Sequence, residues 1–174
     1  MTFKVGDKVV YPMHGAGIIE KIEEREILGE RRCYYIMRLP IRNMKVMIPV
    51  KGVKQIGIRA VISEEELPKV FEVLRSEQTA MSSNWNRRYR ANIEKLKTGS
   101  IYEVAEVVRN LTIRDQVKGL STGERKMLDS ARQILVSELV LAKGIDEAEA
   151  NALLDEVLAA GVHNTTNTPK TSEA

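Results

Sequence analysis

GIRAVISEEELPKVFEVLR, residues 57–75, is where the pattern of the chain changes. Before it, apolar and polar residues alternate with the two-residue period of strands. After it, apolar residues recur at three and four, the period of a helix. Ser63-Glu64-Glu65-Glu66 has the form of a capping box, with Val70, Phe71 and Leu74 as an apolar stripe behind it. If Ser63 caps, Pro68 falls beyond the first turn and should bend the helix, which moves the expected start towards Leu67.

Upstream, Val5, Val9 and Tyr11 alternate with polar neighbours, and His14-Gly15-Ala16-Gly17 reads as a flexible break. Residues 17–26 alternate again, Gly29 marks a hairpin turn, and runs at 30–39, 44–50 and 53–58 follow. Four or five short strands with no helical pattern between them predict a small antiparallel barrel. Pro12 and Pro49 sit at run ends, where a missing N–H does least harm.

Downstream, a loop at 76–83 leads to a helix from Asn84 to about Lys97, closed by Gly99. Ile101, Val104, Ala105, Val108 and Leu111 line a third helix. Leu120-Ser121 opens a fourth that ends at Gly144, and Asp146 to Ala160 forms a fifth ending at Gly161. The polar stretch HNTTNTPKTSEA is expected to fray. The chain therefore reads as α+β: a barrel over residues 1–60, a compact five-helix domain over 61–162, and a disordered polar tail over 163–174.

With 174 residues, 43% hydrophobic and 29% charged, this is the composition of a globular protein. No apolar run reaches the roughly 18 residues of a membrane helix; the longest are broken by Ser137, Glu138 and Lys143. MTFKVGDKVVYP has no charged region leading into an apolar one, so no secretory signal is expected. The single cysteine, Cys33, excludes an internal disulfide and fits a reducing cytoplasm.

Catalytic constellations are missing. The two histidines, His14 and His163, pair with no nucleophile, and no H-x-x-H or C-x-x-C occurs. Gly15-Ala16-Gly17 lacks the third glycine of a dinucleotide loop, and no phosphate-binding loop is present. No catalytic, metal or cofactor-binding set is nominated, and the chain reads as a non-enzyme.

The net charge of +3 hides a division along the chain. Residues 1–60 carry 12 basic and 6 acidic side chains, and residues 75–132 carry 12 and 7; the blocks at 61–74 and 133–174 are acidic. Clustered basic charge permits nucleic-acid binding without requiring it. The second basic block holds Ser82-Ser83-Asn84-Trp85-Asn86-Arg87-Arg88-Tyr89-Arg90, with the only tryptophan and three arginines. Arginines grip phosphates and an exposed aromatic can wedge at unstacked bases. The spacing equally places Trp85, Tyr89, Ile93 and Leu96 on one helical face, so Trp85 has two readings, core or contact.

The opening FKVGDKVVYPMHGAG resembles the start of the CarD/CdnL proteins, bacterial transcription regulators that bind RNA polymerase. The likeness continues through NWNRRYRANIEKLKTG, EVAEVVRNL, RDQVKGLSTGERKMLDSARQIL and LLDEVLAAG, covering Phe3 to Gly161. The β module is also similar to the polymerase-interacting domain of transcription-repair coupling factor, but no helicase motif follows.

The resemblance implies a Tudor-like barrel that docks on the polymerase β subunit, with Arg25, Met47, Ile48 and Pro49 at the docking positions; at position 47 some members carry a basic residue. It implies that Trp85, with Arg87 and Arg90 beside it, meets promoter DNA at the upstream edge of the melted region and stabilises the open complex. Arg88 and Arg125 are further candidates, for DNA contact or for structure. A cytoplasmic monomer, nucleoid-associated through polymerase and with no cofactor, is the implied state. The competing expectation is a scaffold that binds RNA or DNA through the barrel, independently of polymerase.

Overall fold

Leu28 and Gly29 both take positive φ (54° and 81°), the conformation of a type I′ hairpin turn that follows the natural twist of paired strands. In the computed structural model, which describes residues 2–166, this turn joins the two longest strands, β2 (Gly15–Ile27) and β3 (Glu30–Leu39). β1 (Lys8–Tyr11), β4 (Met44–Pro49) and β5 (Arg59–Ala60) complete one antiparallel sheet in the order β4-β3-β2-β1-β5. β4 and β5 are therefore the end strands, and Pro49 is the last residue of one of them, a position where proline is tolerated.

One face of the sheet buries Val9, Ile19, Tyr35, Met37 and Ile48 against Phe3, Val53 and Ile58. The opposite face, near β1, packs Val10 and Ala16 against Leu141 of the helical part.

Two upstream expectations change. Residues 53–58 do not form a strand: a 3₁₀ turn (Val50–Gly52) runs into a short helix, α1 (Val53–Ile56), closed by Gly57 at φ 85°. A run this short suits either conformation, and the flanking glycines decide it. Nor is Gly15 to Gly17 a flexible break, since both glycines belong to β2. A Cβ on Gly15 would stand 2.7 Å from Ser137 Oγ, and one on Gly17 2.3 Å from the Arg38 carbonyl oxygen. Gly17 marks close approach alone, and Gly15 combines close approach with a positive φ of 110°.

Beyond the sheet come α2 (Leu67–Arg75), α3 (Trp85–Lys97), α4 (Ile101–Val117), α5 (Thr122–Lys143) and α6 (Glu147–Thr166). Five helices were expected here, and five follow residue 60 among the described residues. A 3₁₀ turn (Glu64–Glu66) precedes α2; Ser63 makes no side-chain cap bond, and Pro68 sits in the first turn, where its missing N–H is harmless. The core gathers Val70 and Leu74 of α2, Val104, Val108 and Leu111 of α4, Leu135 and Leu139 of α5, and Leu154 of α6.

α6 continues past Gly161 instead of ending there. That glycine lets α6 lie against α2, since a Cβ on it would come 2.9 Å from Arg75 Cα. Of the polar tail expected over 163–174, residues 163–166 belong to α6 and 167–174 fall outside the described residues. Among the described residues no helix is long and apolar enough to cross a membrane, and no group of three or more metal-ligating side chains occurs.

Candidate nucleic-acid interface and docking face

The N-termini of α3 and α5 meet at one end of the helical part, and Trp85 lies where they meet. Asn84 caps α3, its side-chain oxygen accepting from the Arg87 N–H at 3.1 Å. That cap makes Trp85 the first helical residue. Its ring stacks on Tyr89, one turn along, with centroids 5.0 Å apart and planes 18° from parallel.

Ser121, the cap of α5, accepts from Trp85 Nε1 at 2.8 Å and from the Glu124 N–H at 3.2 Å, and it donates to Glu124 Oε1. The hydroxyl thus uses both acceptor positions and its one proton. Gly123 makes room beneath, since a Cβ there would lie 3.3 Å from Trp85 Cζ2. So fixed, Trp85 is still 41% exposed. The i, i+4 spacing that suggested a core face is real for Tyr89, but Trp85 overhangs its end.

The three arginines of the segment diverge. Arg87 and Arg90 are exposed and pair with no carboxylate among the described residues. Arg88 is 4% exposed and turns inward: Nε and one terminal nitrogen hold the two oxygens of buried Glu124 at 2.8 and 3.0 Å, and the other nitrogen donates to the carbonyls of Ser82 and Ser83. Of its two expected roles, DNA contact and structure, this geometry fits the second. Hydrogen bonding from Arg88 holds the Glu124 carboxyl below the usual glutamate range, and the Glu124 carboxylate raises Arg88 in turn. Arg125 is exposed and reaches Asp115 at 2.9 Å.

Lys118, just before the α5 cap, and Lys126, in its first turns, are also exposed and were not singled out from the sequence. They lie three residues before and five after Ser121, which Trp85 contacts from 36 positions away. Two helix N-termini, each with a partial positive charge, add to this basic end.

The second set of candidates lies on the sheet. Residues paired across strands share a face, and faces alternate along each strand. Met47 pairs with Ile36, Pro49 with Tyr34, Tyr34 with Glu23 and Arg32 with Arg25. Arg25, Met47 and Pro49 therefore share one face, and exposed Ile27 shares it too. Ile48 points to the other side and is wholly buried in the sheet's core, so its side chain has no part in an outer surface. Arg25 donates to Glu23, which also pairs with Lys21. At the end of β4 a pocket of about 350 Å³ is lined by Arg31, Arg32, Cys33, Pro49, Val50 and Lys51.

Residues 3–62 match the model of the CarD-like/TRCF RID domain, and residues 69–155 match that of the CarD C-terminal domain. Over 147 residues the chain is 45% identical to the "Putative transcription factor YdeB" of Bacillus subtilis (strain 168), covering 84% of this chain and 96% of that protein.

Proposed function

Because the chain belongs to the CarD/CdnL family of transcription regulators, we propose that it binds RNA polymerase through its sheet and steadies the melted promoter through Trp85. The family is one of regulators rather than enzymes, and the proposed action involves binding alone. Polymerase is engaged through the β subunit by the face carrying Arg25, Met47 and Pro49. The outer edge of β4, last in the sheet order, is available for main-chain pairing with a partner strand. Such docking occurs in the cytoplasm, one copy per polymerase, and requires only a monomer.

The observation that carries this reading is Trp85, exposed yet immobilised by Tyr89, Ser121 and Gly123, beside unpaired Arg87 and Arg90. The exposed part of the ring is left open to a partner. A rigid aromatic edge beside phosphate-binding cations suits the distorted step at the edge of a bubble better than intact duplex. A ligand shifts an equilibrium by its differential affinity for the two states, so this preference favours the open complex. Docking on polymerase raises the local concentration of Trp85 at the promoter, which lets a modest basic surface suffice.

Pull-down from bacterial lysate tests the docking half. Recovery of polymerase, lost in an Arg25→Glu variant, supports it. Recovery of RNA without polymerase would favour a polymerase-independent scaffold instead.

A further inference from the structure

α5 touches both proposed contact regions. Its N-terminus supplies Ser121 and Gly123, the seat of Trp85, and its C-terminal half supplies Ser137, Glu138 and Leu141, which meet the sheet. From Ser121 to Glu138 a helix rises about 26 Å at 1.5 Å per residue.

The grip at the far end is polar and buried. Glu138, 2% exposed, receives both terminal nitrogens of Arg59 at 2.7 and 2.6 Å and the Ile62 N–H at 2.9 Å. Arg59 belongs to β5, and its Nε also donates to the Gly99 carbonyl between α3 and α4 at 2.8 Å. Ser137 Oγ accepts from the Ala16 N–H of β2 at 2.8 Å and donates to the Ile134 carbonyl. Gly15 admits this approach because it has no Cβ. Lys8 adds a bond to the Leu141 carbonyl at 3.2 Å. The apolar part of this junction is centred on Val10, Ala16 and Leu141, with Ile18, Val61 and Val140 beside them and Ile41 reaching the helical core. Apolar contact alone tolerates sliding, whereas a carboxylate holding three donors from β5 and the segment after it accepts one register.

We infer that Glu138, with Ser137, is a positioning residue that locks the sheet onto α5 and makes the helix a spacer of fixed length between the polymerase-docking face and Trp85. This rests on the function proposed above. A fixed spacing makes docking at one site place the indole at one step of the DNA. A loose junction would let the two contacts form independently and forfeit their coupling.

Paired spin labels on the full chain test it. One is attached to native Cys33, exposed on β3, and the other to an introduced Asn86→Cys beside Trp85. The parent protein gives one narrow distance distribution. Glu138→Gln broadens it; unlabelled Glu138→Gln keeps polymerase affinity and loses at least threefold of the gain in open-complex lifetime. Arg59→Lys, which retains the charge but not the paired bonds, does the same and serves should Glu138→Gln not fold. A distribution as narrow as the parent's, or a broadened one with an unchanged lifetime gain, overturns the inference. If the parent protein itself leaves open-complex lifetime unaltered, the proposed function fails, while the distance measurement still decides whether Glu138 locks the junction.

Discussion

The indole N–H of Trp85 donates to the Ser121 hydroxyl at 2.8 Å, and that same hydroxyl caps α5. One small side chain therefore starts the longest helix among the described residues and orients the exposed ring at its end. Beneath it, Glu124 joins Ser121 to Arg88, so the ring rests on a buried ionic network. The ring has a defined orientation before any partner is bound, which would reduce the ordering cost of the DNA contact proposed above.

Ser121→Ala removes the cap and the indole anchor together. Urea denaturation should show a loss of about 1 kcal/mol, the ordinary worth of a helix N-cap. Trp85 is the only tryptophan, so its fluorescence reports this site alone. Its anisotropy should fall in Ser121→Ala and recover in Ser121→Thr, which restores a capping hydroxyl.

Arg88→Ala leaves the Glu124 carboxylate buried without its partner and should cost about 3–5 kcal/mol in thermal or chemical unfolding. Arg87→Ala and Arg90→Ala, on exposed side chains, should stay within about 0.5 kcal/mol of the parent. The pH dependence follows from the depressed Glu124 pKa. Its contribution is fully present above the unfolded glutamate value of about 4.3 and disappears as pH falls through the lower folded value. Unfolding measured from pH 7 to pH 2 should therefore show a shallower acid limb in Glu124→Gln, whose overall stability is lower throughout.

Gly161→Ala places a methyl group against the backbone of Arg75, which cannot yield as a flexible side chain would. Despite the higher helix propensity of alanine, melting should show a loss of about 1–3 kcal/mol as α2 and α6 separate.

On the sheet, Arg25→Glu and Met47→Asp should each weaken polymerase binding about tenfold, ~1.4 kcal/mol, in a titration that leaves Trp85 emission unchanged. Ile48→Ala should act differently, lowering stability by about 2–5 kcal/mol through a cavity in the sheet's core.

The periodicity of the chain reveals its helices well because each carries an apolar stripe: α3 and α5 appear within a residue or two of their expected ends, while α4 runs on to Val117, beyond the stripe that ends at Leu111. It misleads at residues 53–58, where four residues between two glycines are too few to distinguish a strand from a turn of helix. Long-range pairing is what the pattern does not carry. Ser137 and Glu138 look in sequence like interruptions of an apolar run, useful only for excluding a membrane span. Their partners Ala16 and Arg59 lie 121 and 79 positions away. Arg87, Arg88 and Arg90 look equivalent until Glu124, 36 positions on, is seen to take up one of them. The spacing of Trp85 left core and contact both open, and the structure shows it stacked on Tyr89 yet exposed at the end of the stripe.

The lifetime of the open promoter complex, followed with purified polymerase in the presence of the parent protein or Trp85→Ala, tests the central claim most directly. The account predicts that Trp85→Ala folds with its parent's cooperativity, binds polymerase equally well, and shortens the lifetime about tenfold, ~1.4 kcal/mol. An unchanged lifetime with polymerase binding intact would contradict it.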